Sequence, residues 1–327
     1  MKTFGKLSIA LFIFMGVGPG TAGAANTHTG FPDKPIRFII PNNAGSSVDT
    51  TGRIFANAYG SALGQQLVVD NRGGAGGAIG MEIGKDALPD GYTLIWASTA
   101  AMTIRPHVRK KLPYDPLKDY EFITLCGITP NILVVFPAVP PKTVQQFIDW
   151  VKASPGKINM ASAGVGSQSH LAGAALAVAA GLKPLHVPYK GGGSSMVAMV
   201  AGESHWTLIP APAGMAHVKA GRLRVLGHSL NYDSPMVAGI PKISDTMAGF
   251  NYSGWLGLLA PKGTPKPILT KLYDVAVVTL NSAATKKSFE NSGALTNTST
   301  SAAFYKFVAQ EIIDTGKVAR AAGLKPE

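Results

Sequence analysis

Two stretches of glycine and small polar residues have the composition of anion-binding loops. Residues 41–49 read PNNAGSSVD and residues 161–170 read ASAGVGSQSH, each between a predicted strand and a predicted helix start. Free N–H groups and the positive end of the helix dipole attract an anion there, and Ser and Asn add uncharged donors. We predict that the two loops face one cleft and close on an acid from both sides. The alternative is two ordinary helix caps, where Ser and Asp are common.

Other patterns give little support for catalysis or a bound cofactor. The sequence has no GxSxG nucleophile elbow, and nothing in the spacing of Asp49, Ser167 and His170 tests a triad. The glycine-rich stretch 72–80 lacks the last glycine of a dinucleotide fingerprint. The single Cys, Cys126, lies in an apolar run typical of an inert thiol, and the His spacing fits no zinc motif. We expect no catalytic residue, no metal and no cofactor.

The charge and the N-terminal segment indicate an exported protein. The chain has 327 residues, 30 Lys and Arg against 18 Asp and Glu, and a formal charge of +12. Residues 1–24 combine early lysines, a short apolar run and a small-residue cleavage pattern, which is typical of a signal peptide. Because the basic residues are scattered, we expect attraction to acidic small molecules or anionic lipid headgroups, not nucleic acid. The alternative for the charge is a solvated basic face. We predict a periplasmic monomer.

Beyond the signal peptide the pattern alternates between strands and helices. Predicted strands near residues 36–40, 66–70 and 92–97 alternate with amphipathic helices, and the same order resumes from residue 159. This order predicts an α/β fold with parallel sheets and helices on both faces. Two stretches interrupt it, 122–136 and 222–229, and we interpret them as crossings between domains. The predicted domains are residues 25–127 plus 229–327, and residues 128–228.

An ordered series of motifs then points to a known family. Besides the signal peptide and the loop 41–49, the series comprises FPDKPI (31–36), VDNRGGAGG (69–77), PDGYTL (89–94), LPYDP (112–116), GSQSHLA (166–172), HVPYKGGG (186–193), GRLRVL (221–226) and WLGLLAPKGTP (255–265). Together these motifs cover essentially the whole mature chain. The sequence resembles the Bug family, the extracytoplasmic solute receptors of tripartite tricarboxylate transporters.

The resemblance implies a two-domain periplasmic binding protein of type II topology that closes on a small carboxylate. It implies that the two loops hold the carboxylate as pincers, and that the end of one strand and a later loop line the distal end. The residues implied in the first loop are Asn43, Ala44, Gly45, Ser46, Ser47 and Asp49. Those in the second are Ser162, Gly164, Gly166, Ser167, Gln168 and Ser169, and those at the distal end are Ser98, Thr99, Pro210 and Ala211.

The chain departs from the family pattern at two places. Ser46 and Ser47 stand where a further glycine is usual. The loop 208–213 is apolar, whereas relatives often carry an acid that suits an amino group. We therefore expect a ligand with an apolar or aromatic body and one or two carboxylates, passed to membrane transporter subunits. The alternatives are an orphan receptor feeding a signalling system, and a periplasmic enzyme acting on an acidic substrate.

Overall fold

The computed structural model describes residues 30–324 and Pro326, so the predicted signal peptide lies outside the described residues. The strands are β1 (Ile36–Ile40), β2 (Leu67–Asn71), β3 (Thr93–Ser98), β4 (Tyr120–Thr129), β5 (Asn131–Val135), β6 (Asn159–Ser162), β7 (Leu185–Pro188), β8 (Trp206–Pro210), β9 (Arg224–His228), β10 (Gly254–Pro261) and β11 (Leu295–Thr296). The α-helices are α1 (Ser47–Leu63), α2 (Ala78–Lys85), α3 (Arg105–Val108), α4 (Val144–Lys152), α5 (Gln168–Ala180), α6 (Gly192–Ala201), α7 (Ala211–Lys219), α8 (Lys266–Asn281), α9 (Ala283–Asn291) and α10 (Ser301–Ala321). This is the predicted α/β class.

Two sheets form two lobes, and both sheets follow the same plan. The first has the order β11-β4-β10-β3-β1-β2 and the second β7-β6-β8-β5-β9. In each sheet the first strand of the lobe lies between the second and the third: β1 between β2 and β3, and β6 between β7 and β8. The strand that arrives from the other lobe, β10 or β5, then lies between the third strand and the fourth, β4 or β9. The prediction of parallel sheets holds for β1 to β3 and for β6 to β8. It is wrong for β10 and β5, which run antiparallel to their neighbours. A strand that enters its lobe from the cleft side runs in the opposite direction to the strands that end at the cleft.

Each lobe has apolar clusters on both faces of its sheet. In the first lobe the rings of Phe55 and Trp96 stack at 4.9 Å between the sheet and α1, while Trp255 and Phe304 meet between the sheet and α10. In the second lobe Trp206 packs among the buried side chains of α4 and α5. Each fully buried side chain of this kind contributes roughly 1.5–3 kcal/mol, so both lobes have substantial cores.

The chain crosses between the lobes at two adjacent points. Pro130 separates β4 from β5, and Ser253 precedes β10. The Asn131 N–H donates to Ser229 Oγ at 2.9 Å, and that hydroxyl lies 3.0 Å from Ser253 Oγ. Between these points the segment 229–252 packs on the second sheet, with Ile243 buried in that core. Within the described residues, no helix has the length and apolarity needed to cross a membrane.

Candidate functional site

A cleft of about 930 Å³ lies between the lobes, where β1, β3, β6 and β8 end. The starts of α1, α2, α5, α6 and α7 line it. The carboxyl ends of parallel strands and the helix starts that follow them are the usual binding positions in such sheets. Five helix N-termini around one cavity give it a positive backbone field. The sequence-based prediction of two facing loops therefore falls on the rim of one cavity.

The first loop is closed by its own helix cap. Ser46 is the N-cap of α1, and its Oγ accepts from the Asp49 N–H at 3.2 Å. The Asp49 carboxylate in turn accepts from the Gly45 N–H at 2.8 Å. Helix geometry leaves the N–H groups of Ser47 and Val48 without an intrahelical acceptor. Two backbone donors and the Ser46 hydroxyl are therefore presented at the cleft.

Asp49 is a positioning residue, buried behind this loop. Besides Gly45, its oxygens accept from Asn71 Nδ2 at 2.9 Å and from Arg53 Nε at 3.0 Å. Burial raises its pKa, but hydrogen bonds from Asn71, Gly45 and Arg53 outweigh that effect and hold the pKa below its usual range. Because the carboxylate stays ionised and its partners are all donors, it fixes the first loop to α1 and β2.

The second loop has the same construction with a different side chain. Ser167 is the N-cap of α5 and accepts from the His170 N–H at 3.2 Å. The Nδ1 of His170 accepts from the Gly166 N–H at 3.1 Å. Both loops thus read Gly-Ser-x-x-acceptor, with the acceptor side chain binding the N–H of the glycine before the cap. The N–H groups of Gln168 and Ser169 remain without an intrahelical acceptor.

A second histidine, His186, packs against the His170 side chain of this loop. His186 stacks on His170, and its Nε2 lies 2.7 Å from Ser162 Oγ. Burial lowers the pKa of His170 to about 4, with a further contribution from His186. Burial also lowers the pKa of His186. Both rings are therefore neutral at pH 7, which lets His170 Nδ1 accept a hydrogen bond.

The predicted site residues divide into cleft-lining and supporting groups. Those lining the cleft are Asn43, Ala44, Gly45, Ser46, Ser47, Ser98, Thr99, Gly166, Ser167, Gln168, Ser169 and Pro210. Asp49, Ser162, Gly164 and Ala211 lie outside its lining. Asp49 and Ser162 are turned to partners within their own lobe, Gly164 accepts the Ser167 N–H, and Ala211 donates its N–H to Pro130 O. Direct ligand contact stays a prediction for every one of these residues.

Some lining residues lie outside the predicted set. They include the turn Gly74 to Gly77, Arg105, and the segment Lys190 to Gly193. The sequence patterns gave the glycine-rich stretch a place among the family motifs but no place at the cleft, and they gave Arg105 no role. Their place at the cleft depends on the order of strands in the sheet, which local patterns do not encode.

The cleft has a cationic, acid-free lining and an apolar far wall. Among the described residues that line it, Arg105 and Lys190 are the charged ones, and both are basic. Ile209, Pro210 and Ala213 form part of the far wall. Within the described residues, no group of three or more His, Cys, Asp or Glu is placed to hold a metal ion. Such a lining suits an anion with an apolar body.

The residues imagined as a catalytic triad have separate partners. Asp49 binds Gly45, Asn71 and Arg53, and His170 binds the Gly166 N–H. Ser167 Oγ lies 3.2 Å from Ser169 Oγ. Asp49 shapes the first loop, and Ser167 and His170 shape the second. The arrangement can hold an anion, and it lacks the nucleophile-to-base contact on which acyl transfer depends.

Comparisons with known proteins agree with this geometry. The family model described as tripartite tricarboxylate transporter family receptor matches residues 52–324. The protein BugT of Bordetella pertussis is 31% identical over 323 residues, covering 96% of this chain and 98% of BugT.

Two solved structures share the fold. Rpa4515 of R. palustris, solved with adipate, aligns with a TM-score of 0.85 and 26% identity over 91% of this chain and 100% of its own. MatC of Rhodopseudomonas palustris, solved with malate, aligns with a TM-score of 0.78 and 27% identity over 88% of this chain and 99% of its own. The resemblance to the Bug proteins is thus confirmed, and the chain belongs to the solute-binding receptors of the tripartite tricarboxylate transporter family.

Proposed function

We propose that this protein captures a small carboxylate in the cleft, in the periplasm, and delivers it to the membrane subunits of a tripartite transporter. The observation that carries the proposal is the pair of Gly-Ser-x-x-acceptor loops, which face one cleft with N–H and hydroxyl donors. Charge-assisted hydrogen bonds of this kind are about twice as strong as neutral ones. The acid-free lining favours the same class of ligand.

The two lobes are proposed to close on the ligand as a clamp. The predicted domains, residues 25–127 plus 229–327 and residues 128–228, are proposed as the two moving bodies of this clamp. The packing of 229–252 on the second sheet favours placing the later crossing at Ser253. Because both crossings are short and adjacent, a small backbone rotation there would move one loop towards the other. A ligand favours the closed state only through contacts that the open state lacks.

The apolar far wall sets the expected body of the ligand. Ile209, Pro210 and Ala213 offer no charged partner for an amino group. Amino acids are therefore expected to bind weakly, and aliphatic or aromatic carboxylates well. Adipate and malate, which occupy the relatives Rpa4515 and MatC, are reasonable first probes.

A thermal-shift screen of the mature chain, from residue 25 onward, tests the proposal. The panel contains aliphatic and aromatic mono- and dicarboxylates, citrate and amino acids. A ligand that binds only the folded state raises the melting temperature by mass action. A saturable rise with one or more carboxylates, and none with amino acids, is expected. No rise with any carboxylate would overturn the proposal. Uptake of the labelled hit by cells with and without the gene then tests delivery.

A further inference from the structure

The turn between β2 and α2 has an unusual backbone and faces the cleft. Four consecutive residues have positive φ: Gly74 at 108°, Ala75 at 46°, Gly76 at 66° and Gly77 at 98°. Ala75 is the one residue with a Cβ in this run, and such a residue is strained in that region. Strain of this kind persists where the surrounding structure holds it, often at a functional site.

The turn makes room for a cationic side chain. The Arg105 guanidinium lies against the backbone of Gly76, where any Cβ would overlap it. Across the cleft, a Cβ on Gly166 would lie 3.6 Å from Arg105 Nη1. The guanidinium therefore sits between the turn of the first lobe and the carboxylate-binding loop of the second. Glycine at both positions keeps this place open.

The local backbone also directs Arg105 towards the cleft. It follows a single π-helical segment, Ala100–Ile104, and begins α3. Short π segments occur frequently at functional sites, because they reorient the residues that follow. The neighbouring Arg109 is exposed and lies outside the cleft lining. Arg105 is thus directed into the cleft and Arg109 is not.

The charge of Arg105 exceeds what a single carboxylate at the two loops needs. Those loops already offer backbone N–H groups and hydroxyls at two helix starts. A guanidinium is a planar fork with five donors that suits a carboxylate, so it can serve a ligand in addition to a protein partner.

We propose that Arg105, held in place by Gly76, is the specificity-determining residue that recognises a second anionic group on the ligand. This inference rests on the proposed function, since the first carboxylate is assigned to the two loops. It gives the RGGAGG turn a role in recognition. It also predicts that Arg105 distinguishes doubly charged from singly charged ligands of the same size.

Isothermal titration with matched acids tests the inference. The probes are succinate and butyrate, adipate and hexanoate, and terephthalate and benzoate, which differ within each pair by one carboxylate. In the wild-type protein at least one diacid is expected to bind about ten-fold or more tightly than its partner. Arg105→Gln should reduce that preference to less than about two-fold and leave the monoacid affinity nearly unchanged. Arg109→Gln is the charge-matched control and should keep the preference.

A second variant tests the role of the turn without removing the charge. Gly76→Ala displaces the guanidinium and should also abolish the diacid preference. Gly181→Ala controls for backbone strain, because Gly181 has a similar φ of 64° with nothing near its Cβ position. Circular dichroism confirms that each variant is folded. A diacid preference that survives in folded Arg105→Gln overturns this inference and leaves the proposed function standing. The same holds if the wild-type protein binds monoacids but shows no diacid preference. Absence of binding by every probe overturns the proposed function as well.

Discussion

The imidazole rings of His170 and His186 stack face to face, with their centroids 3.7 Å apart and their planes within 6° of parallel. The outer edges of the pair bind the Gly166 N–H and the Ser162 hydroxyl. The stack therefore connects β7 to the cleft-lining loop before α5. Two protonated rings could not keep this contact, because like charges at that distance repel strongly.

We predict that the protein loses stability as the pH falls from 6.5 towards 4. The folded state lowers the pKa of His170 from 6.5 to about 4, so between these values the unfolded chain binds more protons. The free energy of unfolding should fall by about 1.4 kcal/mol per pH unit in that window and be independent of this group above it. Urea unfolding at a series of pH values measures the slope.

The control for this prediction is His170→Gln, in which the titrating ring is absent. Its stability should be lower at pH 7.5, and its slope between pH 6.5 and 4 should be smaller than that of the wild type. Equal slopes in the two proteins would show that the stack does not govern acid sensitivity. Carboxylate affinity measured over the same pH range should fall with the stability of the loop.

Ser46→Ala and Ser167→Ala should each weaken carboxylate binding by roughly 1–2 kcal/mol, because a charge-assisted hydrogen bond is left unmade. Each should also lower the free energy of unfolding by about 1 kcal/mol through loss of the helix cap. Ser282→Ala is the matched control, since Ser282 caps α9 in the same way outside the cleft. It should lose stability and keep affinity. Unchanged affinity in both cleft variants would remove the loops from the site.

Asp49→Asn should destabilise the protein and weaken binding without removing a ligand contact. All partners of the Asp49 oxygens are donors, so the amide group of Asn has to face one of them. A buried mismatch of this kind costs about 1–3 kcal/mol. Urea unfolding and calorimetry measure both effects, with the exposed Asp274→Asn as control. Wild-type stability in Asp49→Asn would contradict the positioning role.

The thiol of Cys126 should be unreactive in the folded protein. Cys126 is fully buried among the apolar residues of the first lobe, and burial raises its pKa well above the usual range. A thiol reagent should therefore modify it only after unfolding. Cys126→Ser should leave carboxylate affinity unchanged. Rapid labelling of the native protein, or a large loss of affinity in a folded variant, would argue against a purely structural thiol.

Much of the fold was accessible from local patterns. Strand and helix periodicity predicted the alternation, and Gly-Ser at a helix start predicted both loops. Sheet direction was not accessible, since the antiparallel course of β5 and β10 follows from where the chain crosses. Purely local signals therefore gave the elements and their class, but not their mixed orientation.

The residues that support the cleft loops were also not predictable from local sequence patterns. Asp49 meets Asn71 across 22 positions, and Arg105, at the start of α3, meets Gly76 in the turn before α2. His170 meets His186 in the same indirect way. The order of strands in the sheets brings these partners together, so no local spacing in the sequence predicts them. The resemblance implies ligand contact for both loops and for Asp49 and Ser162, whose side chains bind partners within their own lobe; contact with a ligand stays a prediction for all of them.

The place of β10 in the first sheet has a consequence for biosynthesis. This strand lies between β3 and β4, although some 120 residues of the second lobe are made before it. While the chain emerges, the first lobe lacks its middle strand, and its halves cannot join. The second lobe, contiguous in sequence, can fold first. We expect the N-terminal half to stay open to proteases and chaperones until the last quarter of the chain has arrived.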